Sequence, residues 1–420
     1  MKIQMRFVTT LLLVCCLAAG AFSFDSGDST GFVTERLDRI DDAINSEIAA
    51  GKIPGAVAII VKDGRTAYHR SFGYADIASK TPMQNDSIFR IASMTKAVTT
   101  IGVMALYEKG YFQLNDSVSK YIPAFAKPLV LVSADYRGVV TETRPAAGEI
   151  RIIDLLTHSS GISYAFIETP LQQVYKRNGV IDGLTEKDIK LETVMVKLAE
   201  QPLLFDPGTA WAYGLNTDLL GYLIEVVSGK PLDQFFETEI FAPLGMDDTY
   251  FYLPDSKANR LVTLYADVDG LRVSVGDEST IYLDNPMYPV EGARAYFSGG
   301  AGLSSTAGDY ARLIEMLLND GELGGKRILG RKSVELMRTA RIDWDDDGDA
   351  DFGLGFEVIG DLGESGELGS EGLYQWGGAF ATSYWIDPRE NLVAVIMTQQ
   401  RPNKSDITDR FKTLVYQALE

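Results

Sequence analysis

The chain has 420 residues, 46% of them hydrophobic and 10% aromatic, which suits a large buried core and excludes disorder as the main state. Its 39 Lys+Arg against 58 Asp+Glu leave a formal charge of −19, a field that repels nucleic-acid backbones and anionic membranes over most of the surface. With only two histidines, His69 and His158, any hydrolase made from this chain must do most of its proton transfer without imidazole.

In chain order, residues 1–23 (MKIQMRFVTTLLLVCCLAAGAFS) read as a secretory signal peptide. Lys2 and Arg6 form the basic start, Leu11 to Ala19 the apolar run, and Ala21-Phe22-Ser23 the small-x-small cleavage site. A lipoprotein anchor is the rival reading, and Val14 before Cys15 is too large for it. Cleavage removes Cys15 and Cys16, so the mature chain has no disulfide and no thiolate chemistry, and its 37 basic residues leave a charge of −21. The expected location is the periplasm or the medium, with no membrane attachment once the leader is gone.

A helix is expected over about 34–50, then a buried strand from Gly55 that ends in an Asp63-Gly64 hairpin turn, with Arg65–Gly73 as its partner. Apolar residues at 94, 97, 98, 101, 104 and 105 follow helical spacing, and Lys109-Gly110 supplies the cation and glycine of a helix end. Helical patterns dominate about 185–245, including Thr217–Ser228 closed by Gly229. Strands return at Ala381–Ile386 and Leu392–Thr398, joined by a turn over 387–391, before a last helix over about 405–419. The expected organisation is an α/β domain made from 24–110 and 290–420, interrupted by a mostly helical insertion over 111–289.

Ser93-Met-Thr-Lys96 stands at the start of the 94–105 helix. A serine there has the positive end of the helix dipole beneath it, and a lysine three residues on lies one turn along the same face. Serine needs a base to become a nucleophile, and a lysine can be that base where burial disfavours its charged form. Ala97, Val98 and Ile101 would supply the apolar surroundings. Taken alone, Ser93 could equally be a helix cap. A second copy of the pattern, Ser117-Val-Ser-Lys120, sits in a polar stretch and reads as a loop and cap.

Five blocks widen the context: IFRIASMTKAVTTIGVMALYEKGYFQLND (88–116), DLLTHSSGI (154–162), DPGTAWAYGLNTDLLGYLIEVVSGKPL (206–232), GGAGLSSTAGDYARL (299–313) and YQWGGAFATSYWIDPRENLVAVIMTQ (374–399). In this order they resemble the serine β-lactamase-related family of class C β-lactamases, D-alanyl-D-alanine carboxypeptidases and family VIII carboxylesterases, and the esterase branch most. The resemblance spans about 34–420. It implies a β-lactamase/transpeptidase-like fold, an antiparallel sheet flanked by helices with an inserted helical domain. It further implies that Ser93 is acylated, that Lys96 is its proton partner and that Tyr213 moves the proton to the leaving group. The backbone N–H groups of Ser93 and Ala379 would form the oxyanion hole, and Trp376, Gly377, Gly378 and Asn216 would meet the substrate.

Two departures point toward esters. Trp376 stands where lactamases and peptidases carry a lysine that holds a carboxylate, and an indole brings no charge. Leu215 stands where the family's asparagine is expected, with Asn216 one place later; a helix cap is the other reading of Asn216. Structural readings also stand beside the functional ones for Tyr213 (a core tyrosine) and Trp376-Gly-Gly (a tight strand entry). His158 is expected to be structural and His69 to lie at the surface.

The expected activity is therefore a secreted serine hydrolase, a carboxylesterase on small esters, with β-lactamase, D-Ala-D-Ala peptidase or acyltransferase as alternatives within the class. A non-turnover acylating sensor or binding protein is the alternative outside it. The substrate is a small ester or amide, and no cofactor is required. Asp343, Asp345, Asp347 and Asp349 match the alternating oxygens of a calcium loop, although Leu354 replaces its closing glutamate; a structural Ca²⁺ and a solvated acidic turn are the two readings. Nothing in the sequence bears on oligomeric state.

Overall fold

A computed structural model describes residues 31–268, 271–274, 287–345 and 351–420; the leader 1–23 lies outside these. Two strands near the start, β1 (Gly55–Lys62) and β2 (Arg65–Asp76), form the expected hairpin. Asp63 and Gly64 both take positive φ, 54° and 69°, as a tight hairpin turn that follows the strand twist requires. A short β3 (Thr81–Pro82) pairs with β2. The other four strands come from the end of the chain: β4 (Glu357–Val358), β5 (Tyr374–Gly378), β6 (Thr382–Asp387) and β7 (Leu392–Met397). All seven make one antiparallel sheet in the order β4-β5-β6-β7-β1-β2-β3. The two chain ends meet at its centre, where β1 and β7 run in register from Val57↔Met397 to Lys62↔Leu392.

Successive side chains on a strand point to opposite faces, and here both faces are covered. Ala56, Ala58 and Ile60 pack with Ala394 and Ile396 under the terminal helices α1 (Thr34–Ala49) and α5 (Ile407–Tyr416). Val57, Ile59, Val61, Val393, Val395 and Met397 join the larger core on the other face, where α4 (Ala307–Leu318) lies. Two-sided burial explains why both strands read as unbroken apolar runs. The last helix starts two residues later than expected, because the Ile407 N–H donates to Ser405 Oγ instead of continuing the helix backwards.

The helix after the nucleophile is α2 (Thr95–Glu108), preceded by a single 3-10 turn over Ala92–Met94. Its apolar spacing suggests one buried stripe, yet every residue from Thr95 to Leu106 is buried. Two of its buried hydroxyls are satisfied from other segments: Thr99 Oγ1 donates to the Gly299 carbonyl at 2.6 Å, and Thr95 Oγ1 accepts from the Leu303 N–H at 3.1 Å. α2 packs on α3 (Asn216–Ser228), which ends as expected with Gly229 at φ 70°.

The 111–289 stretch carries helices, but also two hairpins that the helical reading omits, Leu129–Ala134 with Val140–Pro145 and Tyr265–Val268 with Leu271–Ser274. The first leaves Leu129 and Val132 exposed and has polar residues on both faces of its return strand, so it lacks the alternation that marks a strand. Among the described residues, no helix is long and apolar enough to cross a membrane.

Candidate active site

Ser93 sits on a sharp, strained turn. Ala92 takes φ 42°, a conformation disfavoured for residues with a Cβ by about 1–2 kcal/mol, and its methyl is held among Leu264, Ala266, Tyr288 and Phe380. Tyr310 on α4 donates its hydroxyl to the Met94 carbonyl at 2.8 Å, fixing the turn from the other side. From 87 to 106, Ser93 alone reaches the surface.

Lys96 is 2% exposed, and its Nζ reaches three oxygens: Ser93 Oγ at 3.3 Å, Tyr164 Oη at 3.1 Å and the Gly300 carbonyl at 2.8 Å. The serine and lysine are therefore brought together, one helical turn apart. Their cap reading fails, since the turn before α2 has no side-chain cap bond. The second motif copy is separate: Lys120 is exposed and pairs with Asp116 at 3.0 Å, and Ser117 makes no cap bond either.

Tyr213 also reaches Lys96, but with its ring face, whose centroid is 4.5 Å from Nζ. Its hydroxyl accepts from Trp376 Nε1 at 3.3 Å. The tyrosine whose hydroxyl bonds the lysine is Tyr164, which sequence reasoning missed. Its only signal is its place two residues after the DLLTHSSGI block. Burial, and then the charge of Asp218, push the Tyr164 phenol well above its ordinary value, so it stays protonated.

Behind Tyr213 a wall of rings closes one side of the site. Trp211 stacks on Tyr213 at 5.8 Å, Trp376 lies 5.7 Å from Tyr213, and Trp344 and Phe352 lie 5.9 and 5.4 Å from Trp376. His158 is part of the support, its ring 5.0 Å from that of Tyr213. Burial, and then the charge of Lys96, hold its pKa well below the ordinary value, so it is neutral, and its Nδ1 accepts from Asn216 Nδ2 at 2.9 Å.

That bond corrects both expectations for Asn216. Its side chain neither meets substrate nor caps α3: fully buried, it takes the Ser160 hydroxyl on Oδ1 and offers Nδ2 to His158. It ties the 158–163 segment to the start of α3. His69 is half-buried on β2 rather than at the open surface, with its Nε2 enclosed.

The glycines of β5 have a packing reason. A Cβ on Gly378 would lie 2.3 Å from both the Ile91 carbonyl and Thr382 Oγ1, and one on Gly377 3.1 Å from the Thr382 carbonyl. Gly378 thus lets the strand press directly on the residue before the nucleophile turn, with Ala379 next in the chain.

At the rim, carboxylate oxygens of Asp343, Asp345 and Asp351 lie within 4.8 Å of one another, a spacing compatible with oxygens around one Ca²⁺. Asp351 also accepts from the Trp344 N–H at 3.1 Å. Asp347 and Asp349 lie outside the described residues.

Comparison with known proteins places this geometry in context. The sequence pattern of the Beta-lactamase family matches residues 40–418. Protein Rv1367c of Mycobacterium tuberculosis is 33% identical over 386 residues, covering 88% of this chain and 91% of the relative. Esterase EstB of Burkholderia gladioli is 29% identical over 393 residues, covering 90% and 92%. Among solved structures, EstCE1, described as a hydrolase with promiscuous acyltransferase activity, superposes with a TM-score of 0.79 at 30% identity, covering 92% of this chain and 98% of that one.

Proposed function

The chain belongs to the beta-lactamase family and is a serine hydrolase of that family, and from this we propose that it is a carboxylesterase acting on small, uncharged esters through an acyl-enzyme on Ser93. The observation that carries the reading is the buried Lys96 amine 3.3 Å from Ser93 Oγ, beside a wall of rings that brings no cation to the place of Trp376. A neutral amine there takes the serine proton as Oγ bonds to the ester carbonyl carbon. The N–H groups of Ser93 and Ala379 face the carbonyl oxygen as it becomes an oxyanion.

Collapse of that intermediate breaks the ester C–O bond. The leaving alkoxide takes a proton from the Lys96 ammonium, with the Tyr213 hydroxyl at the leaving-group side. Water then attacks the acyl-enzyme, Lys96 takes its proton, and the acid departs as Ser93 is reprotonated. No step uses a metal. Acyl transfer to an alcohol in place of water is a second reading, favoured by the ring wall, which suits an apolar acceptor, and by the promiscuous acyltransferase activity described for EstCE1. We also read residues 1–23 as a leader that exports the chain to the periplasm or medium; mass spectrometry of the N terminus from each cell fraction tests this.

The test of activity compares short p-nitrophenyl esters with a chromogenic cephalosporin. Ester turnover that is lost in Ser93→Ala supports the esterase. Fast cephalosporin turnover with none of the ester overturns it, and acylation without release indicates a sensor.

A further inference from the structure

Asp218 lies in the first turn of α3 and is fully buried. An acidic residue at a helix start is ordinary on a surface, where it complements the dipole. Burial changes the balance, because a desolvated carboxylate costs several kcal/mol unless charge or hydrogen bonds compensate it. Oδ1 accepts from Ser298 Oγ at 2.6 Å, while Oδ2 is enclosed without a well-formed hydrogen bond among the described residues; the backbone N–H groups of Gly300 and of Asp218 itself face the carboxylate.

Oδ2 points at Gly300. A Cβ built on that glycine would lie 2.4 Å from Asp218 Oδ2 and 3.2 Å from Tyr164 Oη, and the same residue's carbonyl accepts from Lys96 Nζ at 2.8 Å. One glycine residue is all that separates the carboxylate from the lysine and its tyrosine, and only glycine fits between them.

We infer that Asp218 is a positioning residue for Lys96, a buried counter-charge behind Gly300 that stabilises the ammonium formed when the amine takes the serine proton. This rests on the role proposed for Lys96 above. A neutral amine has two N–H bonds and one lone pair, whereas the structure offers it three oxygens. The Gly300 carbonyl can only accept. The Tyr164 hydroxyl oxygen can accept as well, and the lone pair is then left facing Ser93. Once protonated, the nitrogen donates to all three oxygens and has the carboxylate behind Gly300 as its compensating charge.

The ionisable groups facing Asp218 are Lys96 from α2, Tyr164 and Asp182 from the 163–185 segment, and Tyr288 and Tyr296 from the segment leading to Ser298. Burial raises the Asp218 carboxyl above its ordinary value, and the Ser298 hydrogen bond and then the ammonium form of Lys96 pull it back toward ionisation.

The test measures how fast a fluorophosphonate probe labels Ser93 as pH varies, alongside kcat/KM for a p-nitrophenyl ester. Asp218→Asn keeps the shape and the Ser298 acceptor, removes the charge and turns the Oδ2 position into a donor. The labelling rate is expected to fall roughly 10- to 100-fold on its plateau, the scale of one close buried charge, and its acidic limb to move to lower pH because the ammonium has lost its compensation. Ser298→Ala, which removes a hydrogen bond but no charge, leaves the limb where it is. If Asp218→Asn does not fold, Asp218→Ser, smaller and equally neutral, gives the same reading. An unmoved limb in the folded neutral variant overturns the inference. Labelling of the wild type without ester turnover would instead contradict the esterase reading and leave this test intact.

Discussion

Replacing Trp376 with phenylalanine separates two roles for the residue that stands where a cation is expected. The indole Nε1 donates to Tyr213 Oη at 3.3 Å, and the ring packs 5.4 to 5.9 Å from Tyr213, Trp344 and Phe352. Phenylalanine keeps a ring in the wall and removes the donor. A hydrogen bond between neutral groups contributes about 0.5–1.5 kcal/mol, so loss of orientation at Tyr213 lowers kcat/KM roughly 2- to 13-fold. The ring wall survives, so the change falls mainly on kcat and the unfolding midpoint moves little. Steady-state kinetics with p-nitrophenyl butyrate, paired with a urea unfolding curve, read both quantities. A kcat unchanged within experimental error in the folded variant would refute an orienting role for the indole, and a selective rise in KM would mean that Trp376 holds substrate instead.

Three further predictions follow from packing and burial. Gly378→Ala puts a Cβ 2.3 Å from the Ile91 carbonyl and Thr382 Oγ1; overpacking of this kind costs about 1–3 kcal/mol, and ester turnover should fall further than the urea midpoint explains, because Ala379 moves with the strand. Asn216→Ala leaves the buried Ser160 hydroxyl and His158 Nδ1 without their partner, and is expected to destabilise by about 2–4 kcal/mol while KM of the folded enzyme stays within about twofold. Burial raises the Asp182 carboxyl from 3.8 to about 6, against the opposing pull of the Ala165 and Phe166 N–H groups. A raised carboxyl favours folding when protonated, so this contribution is full below about pH 4 and is lost as pH rises through 6, amounting to about 3 kcal/mol at most. Thermal unfolding at pH 5 and pH 7 should show a larger drop for the wild type than for Asp182→Asn; equal drops contradict the assignment.

The four long sheet strands β1, β2, β6 and β7, the hairpin at Asp63-Gly64 and the Gly229 helix end were legible because each carries its own local signal, an apolar run, a turn pair or a glycine past the last helical residue, whereas the short β3 and β4 and the glycine-ended β5 carry none. The 129–145 hairpin was not, since its strands pack too loosely to impose alternation. Within the site, Ser93 and Lys96 are legible as neighbours on one turn. The partners of Lys96 are not: Tyr164 and Gly300 come from segments far apart in sequence, and Tyr164 carries no local signal beyond its place two residues after the 154–162 block. Asn216 misleads for a related reason, as its side chain is claimed by His158 and Ser160, a contact no spacing rule encodes. The strained φ at Ala92 is hidden as well, because the residue there is alanine where glycine would have announced it.

Catalysis turns on a covalent bond to one oxygen, Ser93 Oγ. Rapid acid quench of the wild type during turnover of a p-nitrophenyl ester, followed by intact-mass and peptide analysis, tests it directly. The predicted result is a mass increase equal to the acyl group, carried by the peptide containing Ser93 and absent in Ser93→Ala. An acyl group on any other residue, or undiminished ester turnover by Ser93→Ala, would contradict it.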